Sequence, residues 1–296
     1  LKIFFLLEVD EFKKIDWDSV YNVYEQKISD EMSDEALFDT LSNMLYLLRD
    51  GHVNLKSSFN RSRNWSWYLN WPDNYDAFVL ERSYFKEQQQ FVGPFVVYDF
   101  GDVGYIHYSS FSNGVSASDM DYIITKFKDH KGLIIDVRNN FGGSLGNVNA
   151  IGERFLDQTT VVAYTREKNG PGKEDFSEFE DFEFNYYENE LHFTKPVVVL
   201  TNRKSYSAGN YFPTCMSALP NLTIMGDVTG GGGGAPSFTE LPNGWLLRVS
   251  NTQLFTIDGV NTEDGLEPDL KFEDTDSEIQ AGTDRILEEA LELLRN

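Results

Sequence analysis

The sequence predicts an α/β protein whose strands are covered by helices on both faces. The run at 132–137, apolar but for Asp136, and that at 196–200 do not alternate, whereas half-exposed strands would alternate polar and apolar residues. Each run is followed by a helical pattern, the order that builds a layered α/β core. The 296 residues, 41% of them hydrophobic, supply enough apolar surface for one large domain or a core with a smaller companion.

Taken in order, the chain opens on Leu1-Lys2-Ile3-Phe4-Phe5-Leu6-Leu7, which Glu8 and Asp10 end well short of a bilayer span. The start at Leu1 is compatible with a trimmed targeting segment. Residues 17–28 form a helical pattern with Asp16 as cap. A stronger one over 33–49 carries Leu37, Phe38, Leu41, Met44, Leu45 and Leu48 behind a Ser33-Asp34 cap, with Gly51 beyond its end. Residues 1–57 therefore form a small helical N-terminal unit. From 58 to 94 the chain is an aromatic-rich connection whose Trp65, Trp67, Trp71, Tyr75 and Phe78 follow no period; they suit a peptide cleft or, more commonly at this density, a core. An α/β core spans 95–296. It begins with a hairpin of 95–100 and 103–111 across Gly101-Asp102, then a helix over 117–128 and the 132–137 strand. A helix running to Leu156 and an acidic, aromatic insertion over 174–190 follow. The 196–200 strand leads into a helix opened by Ser207, and strands near 222–226 and 245–256 and a helix from about Ser277 complete the core.

A formal charge of −23 repels phosphate backbones and anionic headgroups, so neither nucleic acid nor a membrane surface is an expected partner. No stretch approaches eighteen apolar residues, so no membrane-spanning segment is expected. Cys215 is the single cysteine, which excludes an internal disulfide and Cys-x-x-Cys metal sites.

Ser207 draws attention because it lies where a buried strand turns into a helix. There a side chain emerges at the strand's carboxyl end, and the Ala208 N–H points outward from a positive helix end. A serine hydroxyl needs a base to take its proton and donors for the oxyanion that forms. Gly142-Gly143, in the neighbouring strand-to-helix turn, would expose a second donor. Taken alone, Ser205-x-Ser207-Ala208-Gly209 is explained equally well by a helix cap. The base is a sharper test, because the four histidines, His52, His107, His130 and His192, all precede Ser207. The α/β-hydrolase order of Ser, acid, His is excluded. The only later lysine, Lys271, is a poor Ser-Lys partner at the end of the core. His107 falls within a strand, His130 at a helix end and His192 beside the insertion, where structural roles suffice. His52 follows a helix-ending glycine in a tight turn that can present its ring to a cleft.

Four motifs in order, Asp50-Gly51-His52-Val53, Asp136-x-Arg138-x-Asn140-x-Gly142-Gly143, Ser205-x-Ser207-Ala208-Gly209 and Gly265-Leu266-Glu267-Pro268-Asp269-Leu270, resemble the tricorn-core and C-terminal-processing serine peptidases. The resemblance spans residues 50 to 270. It implies a crotonase-like (ClpP/crotonase-type) ββα core, Ser207 as nucleophile, and an oxyanion hole from Ala208 and a glycine of the Gly142-Gly143 pair. The family's processing branch has a lysine in the region occupied here by Thr229 and Gly230 to Gly234, so that base is missing. The tricorn-like branch uses an N-terminal histidine, matched by His52, supported through a serine and a glutamate. The serine's expected place is Gly51, so the relay is altered. Glu263, then Glu267, are the acids in reach of the role. Asn210 stands where the family commonly has glutamate. The interval between His52 and the 95–100 strand is too short for a PDZ module. A periplasmic or cell-envelope location is implied by the resemblance alone.

The expected function is hydrolysis of peptide bonds in a peptide or protein substrate, with no metal or organic cofactor. The alternatives are a non-catalytic relative acting as a binding or scaffold protein, consistent with Gly51 and Asn210, and a non-peptidase acyl hydrolase on the same core.

Overall fold

Caps and periodicity fix the helices much where the sequence puts them. The structure is a computed structural model describing residues 15–64, 68–172 and 174–296. The run at 1–7, Trp65 and Trp67 thus lie outside the described residues. The helices are α1 (Trp17–Glu25), α2 (Asp34–Tyr46), α3 (Ala77–Val79), α4 (Ala117–Phe127), α5 (Leu145–Gly152), α6 (Ala208–Met216), α7 (Asp276–Ala281) and α8 (Arg285–Arg295). The strands are β1 (Asn54–Lys56), β2 (Gln90–Val92), β3 (Phe95–Asp99), β4 (Val103–His107), β5 (Gly132–Asp136), β6 (Thr160–Glu167), β7 (Glu180–Phe184), β8 (Val197–Thr201), β9 (Leu222–Gly226), β10 (Pro236–Glu240), β11 (Leu246–Ser250), β12 (Thr252–Phe255) and β13 (Leu270–Lys271). The Asp16 carboxylate accepts the Ser19 N–H and the Ser33 hydroxyl the Ala36 N–H, which starts α1 and α2.

The chain divides into two compact units, each drawn from separated segments. The first holds the described residues up to Leu69, Thr165–Phe179 and Gly234–Gln253. In it β1 and β10 flank β11 in an antiparallel sheet, with Asn54 opposite Arg248 and Phe238 on the other side of the same residue. Phe38, Leu41, Met44, Leu45 and Leu48 pack with Leu55, Trp245, Leu247 and Val249 into this unit's core. A third sheet is ordered β12-β6-β7.

The second unit holds Asn70–Tyr164, Glu180–Gly233 and Leu254–Asn296. Its seven-stranded sheet has the order β13-β9-β8-β5-β4-β3-β2. β4, β5, β8, β9 and β13 run parallel, and β3 and β2 extend the sheet antiparallel. One face buries side chains of α4, α5 and α6, such as Ile123, Val148 and Phe212, and the other buries Ile286, Leu287 and Leu291 of α8. That double cover is why the central parallel strands β5 and β8 are buried throughout and apolar but for their last residues, Asp136 and Thr201. Tyr75 packs partly buried against the α8 side, whereas Trp71 and Phe78 are exposed, so the aromatic connection is only partly core.

One buried ion cluster ties α8 to the sheet. Arg138 is fully buried, and its guanidinium bonds Asp136 (Nη2–Oδ2 2.6 Å), Asp284 (Nη2–Oδ2 2.8 Å) and the Asn74 carbonyl (3.0 Å). Tyr105 adds a hydroxyl to Asp136 at 2.8 Å. Burial works against the charge of Arg138, but Asp136 and Asp284 outweigh it and hold the guanidinium well above its usual range. Asp274, close by and half-buried, shows the opposite balance. Burial first, and Asp284 second, push its carboxyl up to about 6 against the pull of Arg138. The folded state therefore binds this proton more tightly than the unfolded chain, and ionising Asp274 costs stability as pH rises through that window. Asn at this position keeps an acceptor for the Arg285 N–H that Asp274 Oδ1 holds at 2.8 Å. Asp274→Asn is expected to stabilise the protein by about 1–2 kcal/mol at pH 7.5, after allowance for solvent screening, with the gain gone at pH 4. Urea titrations at the two pH values check this.

Candidate active site

Because β5 and β8 are parallel neighbours, the turns that leave their carboxyl ends meet at one edge of the sheet. The turn after β8 delivers Ser207, which precedes α6 with φ +59° and ψ −123°. Helix caps take extended backbone and bond the next turn, but the Ser207 side chain makes no capping hydrogen bond to α6. The cap explanation of the motif therefore fails. A side chain at such a φ is strained by about 1–3 kcal/mol unless its surroundings fix it. Here the Ser207 N–H donates to the Gly231 carbonyl (2.9 Å), the Tyr206 N–H to Asn140 (3.0 Å), and the Ser207 carbonyl accepts from Asn210 and Tyr211 (2.8 Å each). The run from Gly230 is held, not loose. Its Gly231 has φ +76°, and a Cβ there would lie 2.0 Å from the Glu263 carbonyl oxygen, so the close approach that glycine permits is by the protein's own backbone.

The turn after β5 lies against this elbow. A Cβ on Gly142 would fall 2.7 Å from Ser207 Cβ and 2.8 Å from the Ala208 nitrogen. Asn140, fully buried, builds the junction: its carboxamide donates to the Tyr108 carbonyl (2.7 Å) and accepts the Gly142 N–H (2.9 Å). Gly142 thus spends its N–H on Asn140. The N–H groups of Gly143 and Ala208 donate to no acceptor among the described residues. Ala208 also starts the nine-residue α6, whose N-terminus favours negative charge.

Glu263 belongs to the same unit: its carbonyl accepts the Gly232 N–H at 2.8 Å, one backbone away from Ser207. Glu267 is exposed. Asn210 is fully buried and bonds Thr229 (2.5 Å) and the Thr262 carbonyl (3.2 Å), a role in joining α6 to the 262–266 turn that needs no charge. Lys271 pairs with the buried Asp227 at 3.2 Å, and that hydrogen bond holds its ammonium above the ordinary value, unsuited to a base.

His52 lies in the first unit. It is buried, its N–H donates to Asp50 (2.7 Å), and its Nδ1 lies 3.3 Å from the hydroxyl of Ser250 on β11. The serine expected beside the histidine in sequence is absent at Gly51, and the structure brings one from β11 instead. The other histidines have structural places. His130 pairs with Asp99 at 2.9 Å, and His192 meets the Tyr187 carbonyl at 3.0 Å and stacks on Tyr186. His107 is stacked on Tyr75, and burial lowers its pKa, with Asp136 opposing.

A strained serine at a strand-to-helix elbow, with backbone N–H donors beside it, defines the geometry of hydrolases that work through a serine nucleophile. The sequence model of peptidase family S41 matches residues 102–272, and that of the tricorn protease C1 domain matches 5–46. The chain belongs to peptidase family S41. It is 28% identical over 174 residues to the carboxy-terminal processing protease CtpA of Bacillus subtilis, covering 58% of this chain and 35% of the relative, so it spans about a third of that curated relative's length. A crystal structure of a candidate peptidase from Parabacteroides merdae is similar at 40% identity and TM-score 0.89, with 96% of this chain and 90% of that one covered. The photosystem II D1 C-terminal processing protease shares the fold at 16% identity and TM-score 0.57, with 94% and 93% covered.

Proposed function

We propose that this protein is a serine peptidase in which Ser207 Oγ attacks the peptide carbonyl carbon. His52 takes the hydroxyl proton as general base and returns it to the leaving amine, which departs as the C–N bond breaks; water then hydrolyses the acyl-enzyme by the same route. With Nδ1 toward Ser250, Nε2 is the ring atom for transfer. Glu263 is the acid supporting His52. The Ala208 N–H and the N–H of Gly143 hold the oxyanion, and Asn140 keeps Gly142 out of that task. The core is read as crotonase-like, with no PDZ module between His52 and Phe95 and no metal or organic cofactor. A location outside the cytoplasm, in the periplasm or cell envelope, is part of the same proposal; the family resemblance supports it and cell fractionation checks it.

The observation that carries this reading is the left-handed Ser207 held in place by neighbouring backbone. A scaffold protein would gain nothing from that strain. A fluorophosphonate probe tests it: the native chain is expected to be labelled, Ser207→Ala to lose labelling entirely, and His52→Ala to slow it by at least about 10³-fold. Equal labelling of native protein and Ser207→Ala would sink the assignment. Cleavage of casein peptides set against simple esters then separates a peptidase from another acyl hydrolase.

A further inference from the structure

The turn beside Ser207 reads Asn139-Asn140-Phe141-Gly142-Gly143, and four of these residues suit its backbone. Asn139 has φ +58°, Gly142 +94° and Gly143 +147°, and Asn140 supplies the hydrogen bonds that close the turn. Asparagine and glycine are what such conformations ask for. Phe141 answers no such demand: its φ is not positive, and the residue is 40% exposed. The backbone that carries this ring is nevertheless tightly held. Asn140 on one side accepts the Tyr206 N–H at 3.0 Å, and a Cβ on Gly142 on the other would stand 2.7 Å from Ser207 Cβ. With consecutive Cα atoms about 3.8 Å apart, the Phe141 Cα lies within about 8 Å of the Ser207 side chain. A large apolar residue kept partly in water within that reach of a nucleophile has area to offer a bound substrate, and burying it there would recover part of the cost of its exposure.

We infer that Phe141 walls an apolar subsite beside the scissile bond, and that the preferred substrate is a peptide with a large aliphatic or aromatic residue flanking the bond that is cut. This rests on the serine peptidase reading of Ser207. The turn's backbone is fixed by Asn140, Gly142 and Gly143, so replacing the ring changes the subsite and leaves the oxyanion donors in place.

The test uses the full chain and a fluorogenic peptide set in which the residues on either side of the cleaved bond are varied one at a time among Ala, Leu, Phe and Glu. The native protein is expected to favour Leu or Phe over Ala at one of the two positions. Phe141→Ala is expected to lower that ratio of kcat/KM by about tenfold, and Phe141→Leu by less. A ratio unchanged in Phe141→Ala, or a fall equal for every peptide, overturns the subsite while leaving the peptidase intact. Absence of any cleavage that depends on Ser207 overturns both, and the probe labelling of Ser207→Ala distinguishes that case.

Discussion

Gly142→Ala is expected to fold and to lose the hydrolytic activity, by about 10²–10³-fold in kcat. The added methyl would stand 2.7 Å from Ser207 Cβ, 2.7 Å from the Tyr206 carbonyl oxygen and 2.8 Å from the Ala208 nitrogen. All three belong to backbone or to a side-chain root, so relief comes only from separating the two turns. That separation moves the Gly143 and Ala208 N–H groups apart, and the oxyanion loses the simultaneous hold of both. The φ of +94° adds strain of about 1–2 kcal/mol for an alanine. Gly101→Ala is the control. Its φ is +89°, yet nothing lies within 4 Å of the added carbon. Gly101→Ala should therefore show the strain as a lower melting temperature with full peptide turnover. Equal activity of Gly142→Ala and native protein would mean the two turns do not form one site.

Arg138→Met is expected to be the most destabilising substitution on the α8 side of the sheet, at about 3–5 kcal/mol in urea titration at pH 7. It strands Asp136 and Asp284, both buried, without a cation between them. Asp284→Asn should be milder, because asparagine still caps α8 by accepting the Leu287 N–H now held at 2.9 Å. The pH dependence has a definite sign. In the native chain burial raises the pKa of Asp136, but Arg138 outweighs burial and the net shift is downward. Its contribution to stability is thus present above about pH 4, the unfolded value, and lost as pH falls through the lower folded one. In Arg138→Met the same carboxyl has burial without the guanidinium, so its folded pKa rises and protonation relieves the variant on acidification. The gap between the two proteins should narrow from both sides as pH falls, and a constant gap would mean that lost packing, not stranded charge, is the cause.

The parallel sheet was legible because strands covered on both faces leave a plain apolar record, and Ser207 stood out as a candidate because its motif stands in order with three others. What stayed hidden depends on residues distant in sequence. β1 is three residues long and is a strand only because β11 pairs with it. Ser250 could not be assigned to His52 by a sequence pattern, because 198 residues separate them. The 174–190 insertion carries β7, whose Phe182 and Phe184 alternate with Asp181 and Glu183, a period-two signal masked by the surrounding acidic charge. That Gly142 and not Gly143 gives its N–H to Asn140 was unreadable, since it turns on where one asparagine side chain bonds.

The pairing of β1 with β11 also sets a timetable. A ribosome releases His52 and β1 long before the strand that pairs with β1 and the hydroxyl that meets the His52 ring, which emerge only when residues 246–250 do. Long-range pairing of this kind is slow to form and cannot be completed by a partial chain. On the reading of His52 as the base, a nascent or truncated product that stops before residue 250 would carry Ser207 without a finished partner for it, and proteolytic competence would wait for residues 246–250.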